Sequence, residues 1–271
     1  SGAGLTELLT GKEVQPIIEK LKAADNALVL LGNIAGRHRS FSGIRGLAAA
    51  IAANTGAKLG MLSPGANSAG LSQIGVLPRD GAHAGSMLDE SLDAMVLLNV
   101  EPDADLLATA NATEKLVKQG FVVALTPFVS DALLEAADLL LPIGTFAETS
   151  GTYVNVEGTW QSFGGVASPV GEARPAWKVL RVLGNLLGAD GFDYVASEDV
   201  LADCRESVGD AGGPSGPTQF TAKAAPTGNV DADDPSDDID TPLYSVDAMV
   251  RRARALQLTP AARRAAGEGE A

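Results

Sequence analysis

Cysteine is nearly absent: Cys204 is the only one in 271 residues. A single thiol excludes an internal disulfide, a thiolate zinc site and a four-thiolate iron–sulfur cluster built from this chain alone. Histidine is almost as scarce, and the two present, His38 and His83, lack the i, i+4 spacing of a helical metal pair, so both read as surface residues. Aromatic residues make up 4% and no basic stripe exists, which excludes the phosphate neutralisation that nucleic-acid binding requires. Long apolar runs are missing as well. The stretches 26–31 and 94–100 are too short to cross a bilayer and no signal peptide opens the sequence, so a soluble chain without membrane insertion is expected. The first residues, Ser-Gly-Ala-Gly, read as the cut end of a longer protein.

Acid is in excess, and unevenly placed. Of the formal charge of −14, residues 189–240 supply most, with 13 acids against 2 bases, leaving −3 for the remainder. From 209 to 240 the composition is Gly, Pro, Ser, Thr and Asp with few large apolar residues, so ordering it would cost more entropy than burial returns. A three-part organisation follows: an α/β body over 1–188, an acidic, partly disordered linker over 189–244, and a C-terminal docking helix and tail over 245–271. In the last part Ser245 is the expected cap, with Val246, Met249, Val250, Ala253 and Leu256 on one side and Arg251, Arg252 and Arg254 elsewhere.

Within the body, apolar runs at 27–31, 57–62, 94–99, 121–125 and 139–141 alternate with amphipathic stretches around Val14–Leu21, Ile44–Ile51, Lys115–Val117 and 131–137. Continuous apolar strands between helices predict a doubly wound, mainly parallel α/β sheet with helices on both faces. Residues 152–156 and 159–163 flank Glu157 and Gly158 as a β-hairpin, with Asn155 and Glu157 on one face and Val154 and Val156 on the other. A helix is expected from Pro175, carrying Trp177, Leu180, Leu183 and Leu187 on one face.

Ligands of open α/β sheets sit at the carboxyl ends of the strands, so Gly32, Asn33, Asn67, Ser68, Asn99 and Pro127 are the candidate rim of one crevice. The loop at Gly32–Gly36 lacks the Gly-x-Gly-x-x-Gly spacing and no phosphate loop is present, which favours ordinary turns. Glu148 and Glu157, with Asn155 and Gln161, form the densest polar group. Paired acids can serve as general acid and base, but bonding to backbone around the hairpin is the favoured role. Cys204 recurs with Val200, Leu201 and Val208 at helical spacing and reads as a small buried hydrophobe.

The same residues carry a family likeness. Asp138, Pro142, Glu148, Gly151, Thr152, Asn155, Glu157, Gly158 and Gln161 resemble the Ala-Asp-x-x-Leu-Pro…Glu-x-x-Gly-Thr-x-x-Asn-x-Glu-Gly-Arg-x-Gln pattern of the molybdopterin oxidoreductase superfamily, with Thr159 where many members carry Arg. The stretch 171–184 and the C-terminal run from Asp247 to Thr259 resemble, within it, the large iron–sulfur subunit of bacterial NADH–quinone oxidoreductase, complex I. That resemblance implies a non-catalytic structural and interaction domain with no cofactor and no metal of its own, the crevice being vestigial and the iron–sulfur ligands lying upstream. It implies as partners the other peripheral-arm subunits, and a place on the cytoplasmic face of the inner membrane. The parent would pass electrons from NADH through FMN and iron–sulfur clusters to quinone. The alternatives are the pterin-dinucleotide-holding domain of an active enzyme such as a formate dehydrogenase, or a nucleotide-binding regulatory domain.

Overall fold

In a computed structural model the described residues are 11–12, 14–38, 41–62, 65–76, 82–106, 111–209, 243–245 and 247–265. They divide into two compact units, the first comprising Ser1–Gly70, Val154–Thr159 and Asp210–Thr241, the second Leu71–Tyr153, Trp160–Gly209 and Pro242–Ala271.

The first unit opens with α1 (Gln15–Ala23), which has proline in its first turn, Lys20 and Lys22 in its last, and Ile18 buried. Basic residues at that end complement the helix dipole. Strand β1 (Leu28–Leu31) pairs in parallel with β2 (Lys58–Met61), Leu28 opposite Lys58 and Leu31 opposite Met61. The short α2 (Asn33–Arg37) and the long α3 (Phe41–Thr55) connect them. Ala48, Ala49, Ala50 and Ala52 are buried along α3, where small side chains permit close packing. Gly56, at φ +78°, ends α3 in the left-handed conformation that suits glycine.

Helix α4 (Ser68–Gln73) starts in the first unit and ends in the second, where α5 (Ala84–Asp89) follows and β3 (Ala94–Leu98), β4 (Phe121–Thr126) and β5 (Leu139–Pro142) form a parallel sheet in that order. The register sets Ala94 against Phe121 and Val123 against Leu139. Between the strands run α6 (Pro102–Asp105), α7 (Ala112–Val117) and α8 (Asp131–Ala136). Strand alternation puts Leu97, Val122 and Ala124 on one face, where they pack with Leu88, Leu116, Leu133 and Ala136. On the opposite face of β3, Val96 and Leu98 are 50% and 44% exposed. Buried Gln119 joins the return loops: its amide oxygen accepts from Leu92 N at 2.9 Å and its Nε2 donates to the Glu90 carbonyl at 3.0 Å. The α/β class and the parallel pairing match the sequence reading, with the strands distributed over two sheets.

The hairpin follows as β6 (Gly151–Val154) and β7 (Trp160–Phe163), shorter than expected because 155–159 form its turn. Asn155 and Glu157 therefore do not alternate with Val154 and Val156 along a strand. Helix α9 (Ala176–Leu186) begins one residue after Pro175, and Leu187 lies past its end, 76% exposed, instead of on the packed face.

Helix α10 (Ser197–Val208) occupies the front of the span read as a linker. It is tied down by Ser150 Oγ to Ser197 Oγ at 2.7 Å, by Tyr194 donating its hydroxyl to Asp203 at 2.6 Å, and by Arg205 over the Trp160 ring at 5.6 Å. Residues 210–242, the rest of that span apart from 243 and 244, lie outside the described residues.

The C-terminal segment is not one helix. It breaks at extended Ala253 into α11 (Ala248–Arg252) and α12 (Arg254–Gln257), followed by α13 (Pro260–Ala265). Asp247, not Ser245, caps it, its Oδ1 accepting from Met249 N at 2.8 Å and Val250 N at 3.1 Å. Gln257 Nε2 donates to the carbonyls of Tyr244 and Val250, at 2.8 and 2.9 Å, and holds the break in place.

Candidate functional site

At the end of β3 the chain turns at Asn99, whose φ of 53° is in the left-handed region that asparagine tolerates better than most residues. Its N–H donates to the Leu125 carbonyl at 2.8 Å, pinning the turn to β4. The turn delivers Glu101, whose own N–H is held by Asp105 Oδ2 at 2.8 Å and which is only 6% exposed. A carboxylate that deep needs cationic partners.

Helix α11 supplies two. Arg252 donates through Nη1 and Nη2 to the two Glu101 oxygens, both at 2.8 Å, a bidentate fork. Arg251 Nη1 lies 3.1 Å from Glu101 Oε1, and its other arm binds Asp105. The flat face of Arg252 rests over Phe128, 4.2 Å from the ring centroid. Phe128 follows β4 and Pro127, and its backbone is held by Thr126, whose Oγ1 accepts from Phe128 N at 3.2 Å. Burial alone would raise the Glu101 carboxyl, but the hydrogen bonds and charges of Arg252 and Arg251 prevail and hold it below its ordinary value. The bond to Glu101 raises Arg252 in turn, against the opposing effect of burial. With both oxygens engaged by guanidinium groups, Glu101 is held as a carboxylate and fixes a position.

Of the expected crevice residues, the structure brings Asn99 and Pro127 to this edge. Phe128, which follows Pro127 in the same expected loop, is there too, whereas Glu101, Arg251 and Arg252 were not singled out as a site. The visible signal was an acid two residues past a strand and a pair of arginines on a docking helix, but nothing in the sequence pairs them.

The remaining candidates belong to the first unit. Gly32 precedes α2 with extended backbone, and Asn33 begins that helix. Asn67 Oδ1 accepts from Val154 N at 2.8 Å, and Ser68 Oγ donates to the Gly65 carbonyl at 3.1 Å. Both groups are thus used on the chain's own backbone.

The motif residues of the hairpin region hold backbone too. Asp138 Oδ2 accepts from Val122 N at 2.8 Å, and Pro142 ends β5 opposite Thr126. Glu148 accepts from Thr145 N at 2.8 Å and Thr145 Oγ1 at 2.9 Å, and these donors, the backbone one first, hold its carboxyl below the usual range. Gly151 leaves room for Phe163: a Cβ there would stand 2.9 Å from the ring. Thr152 shares a hydrogen bond with Ser162 at 3.0 Å. Asn155 Oδ1 accepts from both Glu157 N and Thr159 N at 3.0 Å, and Gly158 takes the positive φ, 84°, that the turn requires. The side chains of Glu157 and Gln161 are exposed.

Cys204 is half-buried on α10, and burial, with the charge of Asp203, pushes its thiol up, the opposite of nucleophile activation. His83 caps α5, its Nδ1 accepting from Ser86 N at 3.2 Å. Among the described residues, no three His, Cys, Asp or Glu are placed to share a metal ion, and no helix is long and apolar enough to cross a membrane.

Comparison with known proteins places this architecture. The model of the molybdopterin oxidoreductase family matches residues 4–186. The assimilatory nitrate reductase catalytic subunit of Bacillus subtilis is 30% identical over 136 residues, 48% of this chain and 19% of that protein. The NADH-quinone oxidoreductase G subunit of Salmonella typhimurium is 30% identical over 159 residues, 58% of this chain and 17% of its own length. Its counterpart from Shewanella oneidensis is 28% identical over 208 residues, 74% of this chain and 22% of its own length. The chain therefore spans about a fifth of the length of these relatives. With parallel strands, the hairpin motif and a match covering most of the described body, the chain belongs to the molybdopterin oxidoreductase family.

Proposed function

We propose that this chain is a non-catalytic structural and interaction domain of the large subunit of a respiratory NADH–quinone oxidoreductase. The observation that carries the reading is the closure of the sheet edge, where Arg251 and Arg252 are engaged by Glu101 and Asp105. A pyrophosphate needs donors free to turn toward it, and this edge instead carries Glu101, Asp103 and Asp105. These residues do not fit a pterin dinucleotide at that place. The longer span of likeness to the NADH-quinone oxidoreductase relative, 74% of the chain against 48% for the nitrate reductase, supports the choice of parent.

On this reading the chain holds no cofactor, and the iron–sulfur clusters and FMN that carry electrons from NADH to quinone are bound elsewhere in the parent complex. The partners are other peripheral-arm subunits, on the cytoplasmic side of the bacterial inner membrane. Nucleic acid is not among them. The test is calorimetric titration of the purified chain with GDP and GTP, beside an assay of NADH oxidation. No saturable heat and no turnover are expected, and either one would sink the reading.

The second reading is a pterin-dinucleotide-holding domain of an active molybdopterin oxidoreductase. The equal identity of the nitrate reductase, and the 29% identity of the alpha subunit of an F420-dependent formate dehydrogenase from Methanocaldococcus jannaschii over 133 residues, speak for it. Saturable micromolar binding of a guanine nucleotide would put it first.

A further inference from the structure

The carboxyl end of a parallel sheet is where α/β proteins place ligands, and in the second unit that position is taken by the chain's own C-terminal segment. Three features distinguish this from incidental helix packing. Glu101, 6% exposed, would be an uncompensated charge without its partner. Both of its oxygens sit in one guanidinium fork whose face lies on Phe128, a geometry that recognises a planar cation in preference to a point charge. The arginines also arrive preorganised, through the Asp247 cap, the bond from Arg251 Nε to the Ser245 carbonyl, and the Gln257 bonds to Tyr244 and Val250.

We propose that residues 247–257 are a built-in strap that fills the sheet-end crevice in place of a ligand, and that its floor of Glu101, Asp105 and Phe128 is selective for a guanidinium pair carried on a helix. An anionic ligand would meet Glu101, Asp103 and Asp105 there, so lifting the strap opens a receptor for a cationic helix and not for a phosphate. The inference stands on the sheet edge and is independent of which complex the parent belongs to.

The experiment uses the full chain as wild type, as Arg251→Ala/Arg252→Ala, and as that double variant with Glu101→Gln added. Amide exchange is followed at 99–106 and 128–130, and each protein is titrated with a synthetic peptide of residues 243–265 and, separately, with GDP. In the double variant, exchange at the edge should rise about tenfold or more while 112–117 and 131–136 stay protected. That variant should bind the peptide saturably and the wild type should not, and adding Glu101→Gln should weaken the peptide by about tenfold or more. Unchanged exchange at the edge, an opened edge that takes no peptide, or GDP bound by the opened variant alone overturns the proposal. If the double variant loses protection everywhere, Arg251→Lys/Arg252→Lys keeps the charges and removes the fork. An edge in that variant as protected as in wild type overturns the guanidinium selectivity, and an edge looser by about threefold or more supports it. GDP bound by the wild-type chain overturns the scaffold reading alone, because the strap is judged by exchange and by the peptide.

Discussion

Arg252 grips both carboxylate oxygens of Glu101 at 2.8 Å across a separation of 151 residues, while its guanidinium face lies 4.2 Å from the centre of the Phe128 ring. The two side chains are unequally buried, at 33% exposure for the arginine and 8% for the acid. Removing the arginine therefore leaves the more deeply buried charge with Arg251 alone as its partner. Arg252→Ala should destabilise by about 3 kcal/mol, toward the low end of the buried-pair range because the arginine is partly solvated, and Glu101→Gln should cost less. Denaturant unfolding of the two variants and of their combination checks this. The combined loss should fall well short of the sum, because each variant breaks the same fork.

The same pair sets a pH dependence. The folded-state value of Glu101 lies below its ordinary 4.5, because Arg252 and Arg251 outweigh the raising effect of burial. A carboxyl depressed on folding contributes stability above its unfolded value and loses it as pH falls through its folded value. The stability gap between wild type and Glu101→Gln should thus be widest at neutral pH, narrow below pH 4.5 and close as acidification proceeds. Thermal unfolding measured in parallel on the two proteins reads the gap, and a gap that widens on acidification would contradict the assignment.

Asn67 gives a prediction of different kind. Its Oδ1 serves the N–H of Val154, a residue 2% exposed, so Asn67→Ala leaves that amide without its acceptor at a cost of about 1–3 kcal/mol. Asn67→Asp keeps an acceptor at the same place and should cost less. Gly70 lies against the same side chain, since a Cβ there would collide with Asn67 Oδ1, so Gly70→Ala should mimic the loss. Chemical denaturation of the three variants ranks them.

What the sequence made legible was local. The apolar runs of β1 and β4 are set by neighbours in the chain, and they stand where expected. The edge cluster was hidden because a sequence displays charges without their pairing, and Glu101 meets Arg252 only after the C-terminal segment folds back. The cap at Asp247 was missed for a related reason. Ser245 is an equally good capping type, but it closes a separate turn over Leu243–Ser245, and Asp247 is the residue that directly precedes α11. The helical spacing of Val200, Leu201, Cys204 and Val208 was legible, but averaging composition over 189–240 assigned that stretch to a linker, whereas α10 is ordered by contacts with Ser150 and Trp160 far back in the chain.

Gly120 tests the packing of the sheet against its return loop. A Cβ there would collide with the Asp93 carbonyl oxygen, and that atom belongs to backbone already bonded to Phe121 N at 2.9 Å. Backbone cannot swing aside as a side chain can. Gly120→Ala should therefore destabilise by about 1–3 kcal/mol or more and loosen amide exchange in β3 and β4 together. For comparison, Leu133→Ala in the same unit should cost about 2–5 kcal/mol, since its side chain is fully buried.

The last prediction concerns the family motif itself. Asn155 organises the hairpin turn by accepting two backbone N–H groups at 3.0 Å, while Glu148 gathers the N–H and hydroxyl of Thr145. These are conformational tasks, so the motif should act on stability and not on ligand affinity. Asn155→Ala is expected to cost about 1–2 kcal/mol through the two lost bonds, and Asn155→Asp, which keeps the acceptor, only part of that. Thr145 amide exchange should rise in Glu148→Ala. If Asn155→Ala instead left stability intact and abolished binding of a guanine nucleotide, the hairpin would have to be read as part of a ligand site. The pterin-holding alternative would then gain the residue-level support it now lacks.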